Sequence, residues 1–191
     1  MKVLAINGSP RKKGNTSQLI DEVFKVLQSH GIDTEQVQVG GELIRGCNAC
    51  YICKKKADKK CHNDEDIINP LIEKMIEADG ILMASPTYFS NVSAELKAVI
   101  DRTGVVNRAN GFMFQRKVGA AIVTARRAGQ VAAFDAINHY FLACQMIVPG
   151  ANYWNMGIGK DKGDVQNDAE GLENMQNLGE NMAWLLKRVV E

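Results

Sequence analysis

Cys47, Cys50, Cys53 and Cys61 fall within fifteen positions of one another, in the spacing C-x2-C-x2-C-x7-C. Two successive x2 spacings let neighbouring thiolates converge on one small cubic core, while a longer loop brings in the fourth; iron-sulfur clusters use such spacings. Electron transfer is the chemistry that this arrangement suits best. Zinc also takes four cysteines, but its ligands usually come as separated pairs. A metal-free set of thiols is the remaining reading. His62, next to Cys61, reads as a loop residue. Lys54, Lys55, Lys56, Lys59 and Lys60 stand between and beside the cysteines, where they would offset the negative charge of a metal-thiolate centre and attract an acidic protein partner. The fifth cysteine, Cys144, lies alone on an apolar helical stretch and reads as a buried structural thiol.

The residues around this segment must build the platform. At 191 residues with 46% hydrophobic content, the chain is long enough for one domain with one core, spanning 1–191 and carrying a cysteine-bearing loop insert at 40–65. A net charge of +1 gives no electrostatic reason to expect nucleic acid or an anionic membrane. No apolar run reaches the roughly eighteen residues of a membrane span, and Met1 leads straight into a strand pattern, so a cytoplasmic protein is expected. In that reducing compartment clustered cysteines serve as metal ligands or redox thiols rather than as disulfides.

Strand and helix patterns alternate along the chain. Lys2 to Ile6 reads as a buried strand stopped by Asn7-Gly8, and Leu19 to Leu27 recurs at helical spacing up to a glycine stop at Gly31. Thr34 to Val39 alternates as a second, less buried strand, and Ile67 to Ala78 is helical. Gly80 to Ser85 is a third strand, Val92 to Arg102 a helix, Val118 to Thr124 a fourth strand and Gln130 to Cys144 a helix. The last strand is expected at Met146 to Val148, with Tyr153-Trp154 as a second candidate, before a long amphipathic helix over Asn167 to Val190. Such alternation predicts an α/β fold with a doubly wound, five-stranded parallel sheet and helices on both faces. Ligands bind such sheets outside the carboxyl ends of their strands.

The loop after the first strand suits a phosphate. Gly8 and Gly14 let backbone amides turn toward one point, Ser9, Thr16 and Ser17 bring hydroxyls, Asn15 an amide and Arg11 a fork of donors, and a helix N-terminus follows. It is neither GxGxxG nor GxxxxGK[ST], so a dinucleotide or ATP loop is not expected there. GSPRKKGNT resembles the FMN phosphate loop of the NADPH-dependent FMN reductase and flavodoxin-like superfamily. Pro86, Thr87, Tyr88, Phe89, Ser90 and Asn91 resemble that family's SPTY segment, which borders the flavin ring. Thr124, Arg126 and Gly129 lie in a third loop, after the fourth strand, with Arg126 or Arg127 facing the N1 and O2 edge of the flavin and Ala125 and Ala128 where glycines often stand in the family. With CNACYIC and Cys61 included, the chain is similar to the iron-sulfur flavoproteins over most of its length.

That resemblance implies a flavodoxin-like sheet of strand order 2-1-3-4-5, and FMN together with a 4Fe-4S cluster on Cys47, Cys50, Cys53 and Cys61. It also implies an oxidoreductase that takes electrons from NAD(P)H or ferredoxin and delivers them to a quinone or another small acceptor. No side chain is named as catalytic, because the flavin itself carries the chemistry. A homodimer or homotetramer is implied, with Tyr88, Phe89, Trp154 and Met156 available to line its interface. Two alternatives stay open: an NAD(P)H-dependent FMN or quinone reductase without a cluster, and a non-catalytic flavodoxin-like carrier. The carrier is disfavoured by near-neutral charge, since flavodoxins tend to be strongly acidic.

Overall fold

The computed structural model describes residues 1–63 and 65–190, so Asp64 of the predicted insert lies outside the described residues. Its sheet is built from β1 (Lys2–Asn7), β2 (Asp33–Gln38), β3 (Gly80–Pro86), β4 (Val118–Ala125) and β5 (Met156–Ile158), in the order β2-β1-β3-β4-β5. Every pairing is parallel. The helices are α1 (Asn15–Ser29), α2 (Ile52–Lys56), α3 (Ile68–Glu77), α4 (Ala94–Ala109), α5 (Gln130–Ala143) and α6 (Ala169–Val189), with a short 3-10 turn at Asp164–Asn167. The predicted fold class and strand order are observed.

Alternate residues of the central strands feed two cores. Leu4 and Ile6 of β1, Ile81 and Met83 of β3 and Ala121 and Val123 of β4 pack with α3, α4 and α5. Val3, Ala5, Leu82, Ala84, Ala120 and Ile122 pack with α1 and α6 on the other face. Burial on both faces is why these strands read as continuous apolar runs rather than alternating ones.

Two predicted elements are corrected. Ile147 makes only a single parallel bridge, to Val118. The last strand proper is Met156–Ile158, against Val123–Ala125. Three residues with a glycine in the middle give too short a run to stand out by pattern. Helix α4 also runs seven residues beyond the expected end at Arg102, through Gly104 to Ala109. An interior glycine costs a helix roughly 1 kcal/mol. Here its bare face receives the Tyr140 ring, which would lie 3.4 Å from an added Cβ, so packing against α5 offsets the propensity. Arg102 is therefore a mid-helix residue. Cys144 is buried as predicted, and that burial pushes its thiol up to about 11, which leaves it un-ionised and inert at neutral pH.

Candidate functional site

At the carboxyl edge of β1, β3 and β4 lies a cleft of about 200 Å³. Of the residues expected to hold a cofactor, Ser9, Arg11, Asn15, Thr16, Pro86, Thr87, Tyr88, Thr124 and Arg126 line it. The three loops reach it because three parallel strands end side by side there. Gly8 N–H donates to the Ala84 carbonyl (2.8 Å), and Thr87 N–H donates to the Thr124 carbonyl (2.7 Å). Thr16 and Thr124 share a hydroxyl hydrogen bond of 2.8 Å across the floor.

The other predicted residues have different surroundings. Ser17 turns toward β2 and bonds Gln36 (3.3 Å). Gly14 is the N-cap of α1. Gly129 adopts φ +89°, and an added Cβ would meet the Ser90 hydroxyl at 2.9 Å, so it seats the β3 loop from behind. Tyr88 and Asn91 form an isolated bridge with Phe89 and Ser90 both at positive φ (46° and 60°), a tight I′-like turn. Phe89, at its tip, is fully exposed. Asn15 lines the cleft, but its amide donates to the Asp161 carbonyl (2.9 Å) and accepts from Gly163 N–H (2.8 Å). Its side chain thus ties down the loop after β5.

That loop was missed by the sequence reading. Gly159 and Lys160 line the cleft, and the Lys160 carbonyl accepts a 2.9 Å hydrogen bond from Arg11. The carboxyl-end rule would have pointed to it had the last strand been placed at Met156–Ile158.

Two features suit this cleft to an anionic ligand that also offers a hydrogen-bond acceptor. Helix α1 begins without a side-chain cap and without an acidic residue in its first turn, whereas Ser93 caps α4 and Asp168 caps α6. Its first amides therefore face the cleft as donors for an anion. The Thr87 hydroxyl is buried with no hydrogen-bond partner among the described residues, although it borders the cleft. An unmade hydrogen bond of this kind costs about 1–3 kcal/mol, which a ligand acceptor would recover. Thr87→Val should accordingly stabilise the ligand-free protein by about 1 kcal/mol while weakening by roughly 5-fold to 10-fold the binding of a ligand that accepts from the hydroxyl, for which FMN is the probe that the resemblance supplies. Chemical denaturation without FMN and a flavin fluorescence titration read the two opposed effects.

All four clustered cysteines line a second, smaller pocket of about 80 Å³, with Asn48, Tyr51, His62, Asn63, Arg102, Val105 and Val106. Cys47 and Cys50 are exposed, Cys61 is half-buried and Cys53 is buried on the single-turn helix α2. Burial pushes the Cys53 thiol up; a backbone hydrogen bond at Lys54 opposes this, and the nearby Cys61, Cys50 and Cys47 raise it further by charge. Four thiolates so placed repel one another unless a cationic centre lies between them. Among the described residues, no three His, Cys, Asp or Glu side chains converge tightly enough to hold a single metal ion. The donor set, four cysteine sulfurs on one pocket, is the one that a cubane cluster takes, and four-cysteine zinc takes it too.

The cysteine loop is held in costly backbone. Ala49, Tyr51, Ala57 and Lys59 all have positive φ, four of the ten such non-glycine residues among those described. Strain of this density collects where a loop must present particular groups. Lys59 N–H donates to Asn110 (2.9 Å), and His62 pairs with Asp58 (3.1 Å), which places His62 in the loop's own framework. Lys54, Lys55, Lys56, Lys59 and Lys60 are all exposed beside the pocket.

Sheet order and carboxyl-edge cleft define a flavodoxin-like α/β protein. The fold is shared with RosB, solved with 8-demethyl-8-formylriboflavin-5'-phosphate (TM-score 0.80, 20% identity, covering 100% of this chain and 80% of that one). It is shared also with a WrbA-like flavodoxin from Agrobacterium tumefaciens (TM-score 0.68, 12% identity, 98% of each chain). Residues 1–161 match the NADPH-dependent FMN reductase family, and the chain belongs to that family. Two relatives similar over nearly their whole length are iron-sulfur flavoproteins. One, from Methanocaldococcus jannaschii, is 38% identical and covers 99% of both chains. The other, from Methanosarcina thermophila, is 32% identical over 99% of this chain and 97% of its own. No described helix is long and apolar enough to cross a membrane.

Proposed function

We propose that the protein is an FMN-dependent oxidoreductase that carries a 4Fe-4S cluster on Cys47, Cys50, Cys53 and Cys61. The observation that carries this reading is the gathering of all four cysteines on one pocket, in a chain whose separate carboxyl-edge cleft collects nine of the predicted cofactor-binding residues. FMN supplies hydride and single-electron chemistry, and the cluster supplies single electrons. The residues bind and orient. The uncapped first turn of α1, with Ser9, Thr16 and Arg11, receives the phosphate. Thr87, Tyr88 and Thr124 border the ring, and Arg126 stands at the cleft wall as a cation for the reduced flavin's negative charge.

The electron donor in this reading is NAD(P)H or ferredoxin, and the acceptor is a quinone or another small molecule. The exposed lysines beside the cysteine pocket favour an acidic protein donor at that end. The exposed Phe89 and half-exposed Tyr88 and Trp154 support a homodimer or homotetramer. Anaerobic purification followed by an absorption spectrum and metal analysis tests the reading. Flavin bands over a broad visible shoulder, with about four irons per chain, are expected. Flavin bands without metal would instead make the protein a simple NAD(P)H-dependent FMN or quinone reductase.

A further inference from the structure

Arg102 heads the largest completely buried side chains of the described protein. Its Nε donates to the Cys61 sulfur at 3.3 Å. Nη1 donates to the Arg45 carbonyl (3.2 Å) and to the Asp66 carboxylate, and Nη2 donates to the Asn63 carbonyl. One guanidinium therefore binds the chain just before Cys47 and just after Cys61. Asn69 completes the hold on Cys61, accepting from its N–H (2.8 Å) and donating to its carbonyl (2.9 Å).

A buried charge is a costly way to staple a loop, since an apolar side chain of similar volume commonly packs there as well or better. Asp66 offsets the charge, yet the Nε donor is directed at sulfur, where a neutral staple would need nothing. Hydrogen bonds to ligand sulfurs stabilise the more negative, reduced state of a metal-thiolate centre and so raise its potential. The planar fork reaches both flanks and the sulfur at once, which a lysine cannot do.

We propose that Arg102 is the positioning residue of the cysteine centre: it fixes Cys61 as the fourth ligand, and its hydrogen bond to that sulfur raises the reduction potential of the bound cluster. The proposal rests on the cluster reading above and adds a role for a residue on α4.

The test uses anaerobically reconstituted full-length protein as wild type, Arg102→Gln, Arg102→Lys and Asn69→Ala. Iron and FMN are counted per chain, and the midpoint potential is read by EPR-monitored reductive titration. Both Arg102 variants should keep FMN, hold less iron and show, in the loaded fraction, a one-electron reduction equilibrium about tenfold less favourable, equivalent to about 59 mV. Asn69→Ala loosens the Cys61 backbone without touching the sulfur hydrogen bond, and should lower iron retention while leaving the midpoint unchanged. An unmoved midpoint in iron-loaded Arg102→Gln would overturn the role of Arg102 and leave the cluster reading standing. Wild type without iron would overturn both. Should Arg102→Gln lose FMN along with iron, Arg102→Lys carries the test, and a wild-type midpoint there overturns the hydrogen-bond assignment.

Discussion

Cys50→Ser is expected to take iron from about four atoms per chain to fewer than one while FMN stays bound with its affinity changed less than 2-fold. Cys50 is exposed, and its backbone N–H is held by the Asn48 side chain (3.3 Å), an interaction that serine retains. The substitution therefore buries no polar group and opens no cavity, and exposed changes of this kind usually alter stability by less than about 0.5 kcal/mol. What it removes is one thiolate of the set lining the cysteine pocket. None of the four cysteines borders the carboxyl-edge cleft, so flavin binding has no reason to follow. Metal analysis beside a flavin titration reads both numbers. Loss of iron and FMN together would mean that the two sites are not independent, and an unchanged metal content would remove Cys50 from the ligand set.

Most of the fold was legible because its signals are local. Buried parallel strands are continuous apolar runs, and amphipathic helices repeat every three to four residues, so the alternating elements could be placed, while their order in the sheet followed from the family resemblance. The phosphate loop and the β3 loop each directly follow a strand that is easily seen, but it was their resemblance to the family's flavin loops that marked them as a site. The loop after β5 was hidden behind its three-residue strand, and Gly159 and Lys160 went unread with it. Asn15 shows the limit of residue type as a guide. An amide beside a phosphate loop looks like a ligand donor, yet both ends of its side chain are spent on Asp161 and Gly163.

Arg102 was illegible for a different reason. It stood at the expected end of a helix, followed by Thr103 and Gly104, and nothing in its sequence neighbourhood singled it out. In the fold, Tyr140 packs against Gly104 and Val106 is buried in the core, so α4 continues and Arg102 lies inside under the cysteine loop. Its partners, Arg45, Cys61, Asn63 and Asp66, lie 36 to 57 residues away in sequence. No short-range pattern encodes such a contact. The cysteines were visible from their spacing, whereas the arginine that bonds Cys61 was visible only from the tertiary fold.

Gly40→Ala should damage both stability and flavin binding. An added Cβ would stand 2.3 Å from the Ser9 carbonyl carbon and 2.4 Å from the Gly8 carbonyl oxygen, so backbone rather than a flexible side chain must give way. That backbone is already committed. Gly8 N–H is bound to Ala84, Ser9 N–H to the Asn7 side chain (2.9 Å), and Gly40 N–H itself to the Asn7 carbonyl (3.1 Å). Relief therefore requires moving the phosphate loop off the end of β1, and overpacking of this kind costs about 1–3 kcal/mol. For a chain of this size each kcal/mol lowers Tm by about 2–4 °C. Displacing Ser9 also misplaces the loop that faces the uncapped start of α1, and FMN affinity should fall at least about tenfold, or ~1.4 kcal/mol. Gly150→Ala is the control, since an added Cβ there meets nothing within 4 Å. Thermal melts with and without FMN separate the two losses. Equal destabilisation with and without flavin would confine the effect to folding, whereas a larger fall in the FMN-bound Tm would show that the end of β2 shapes the phosphate site.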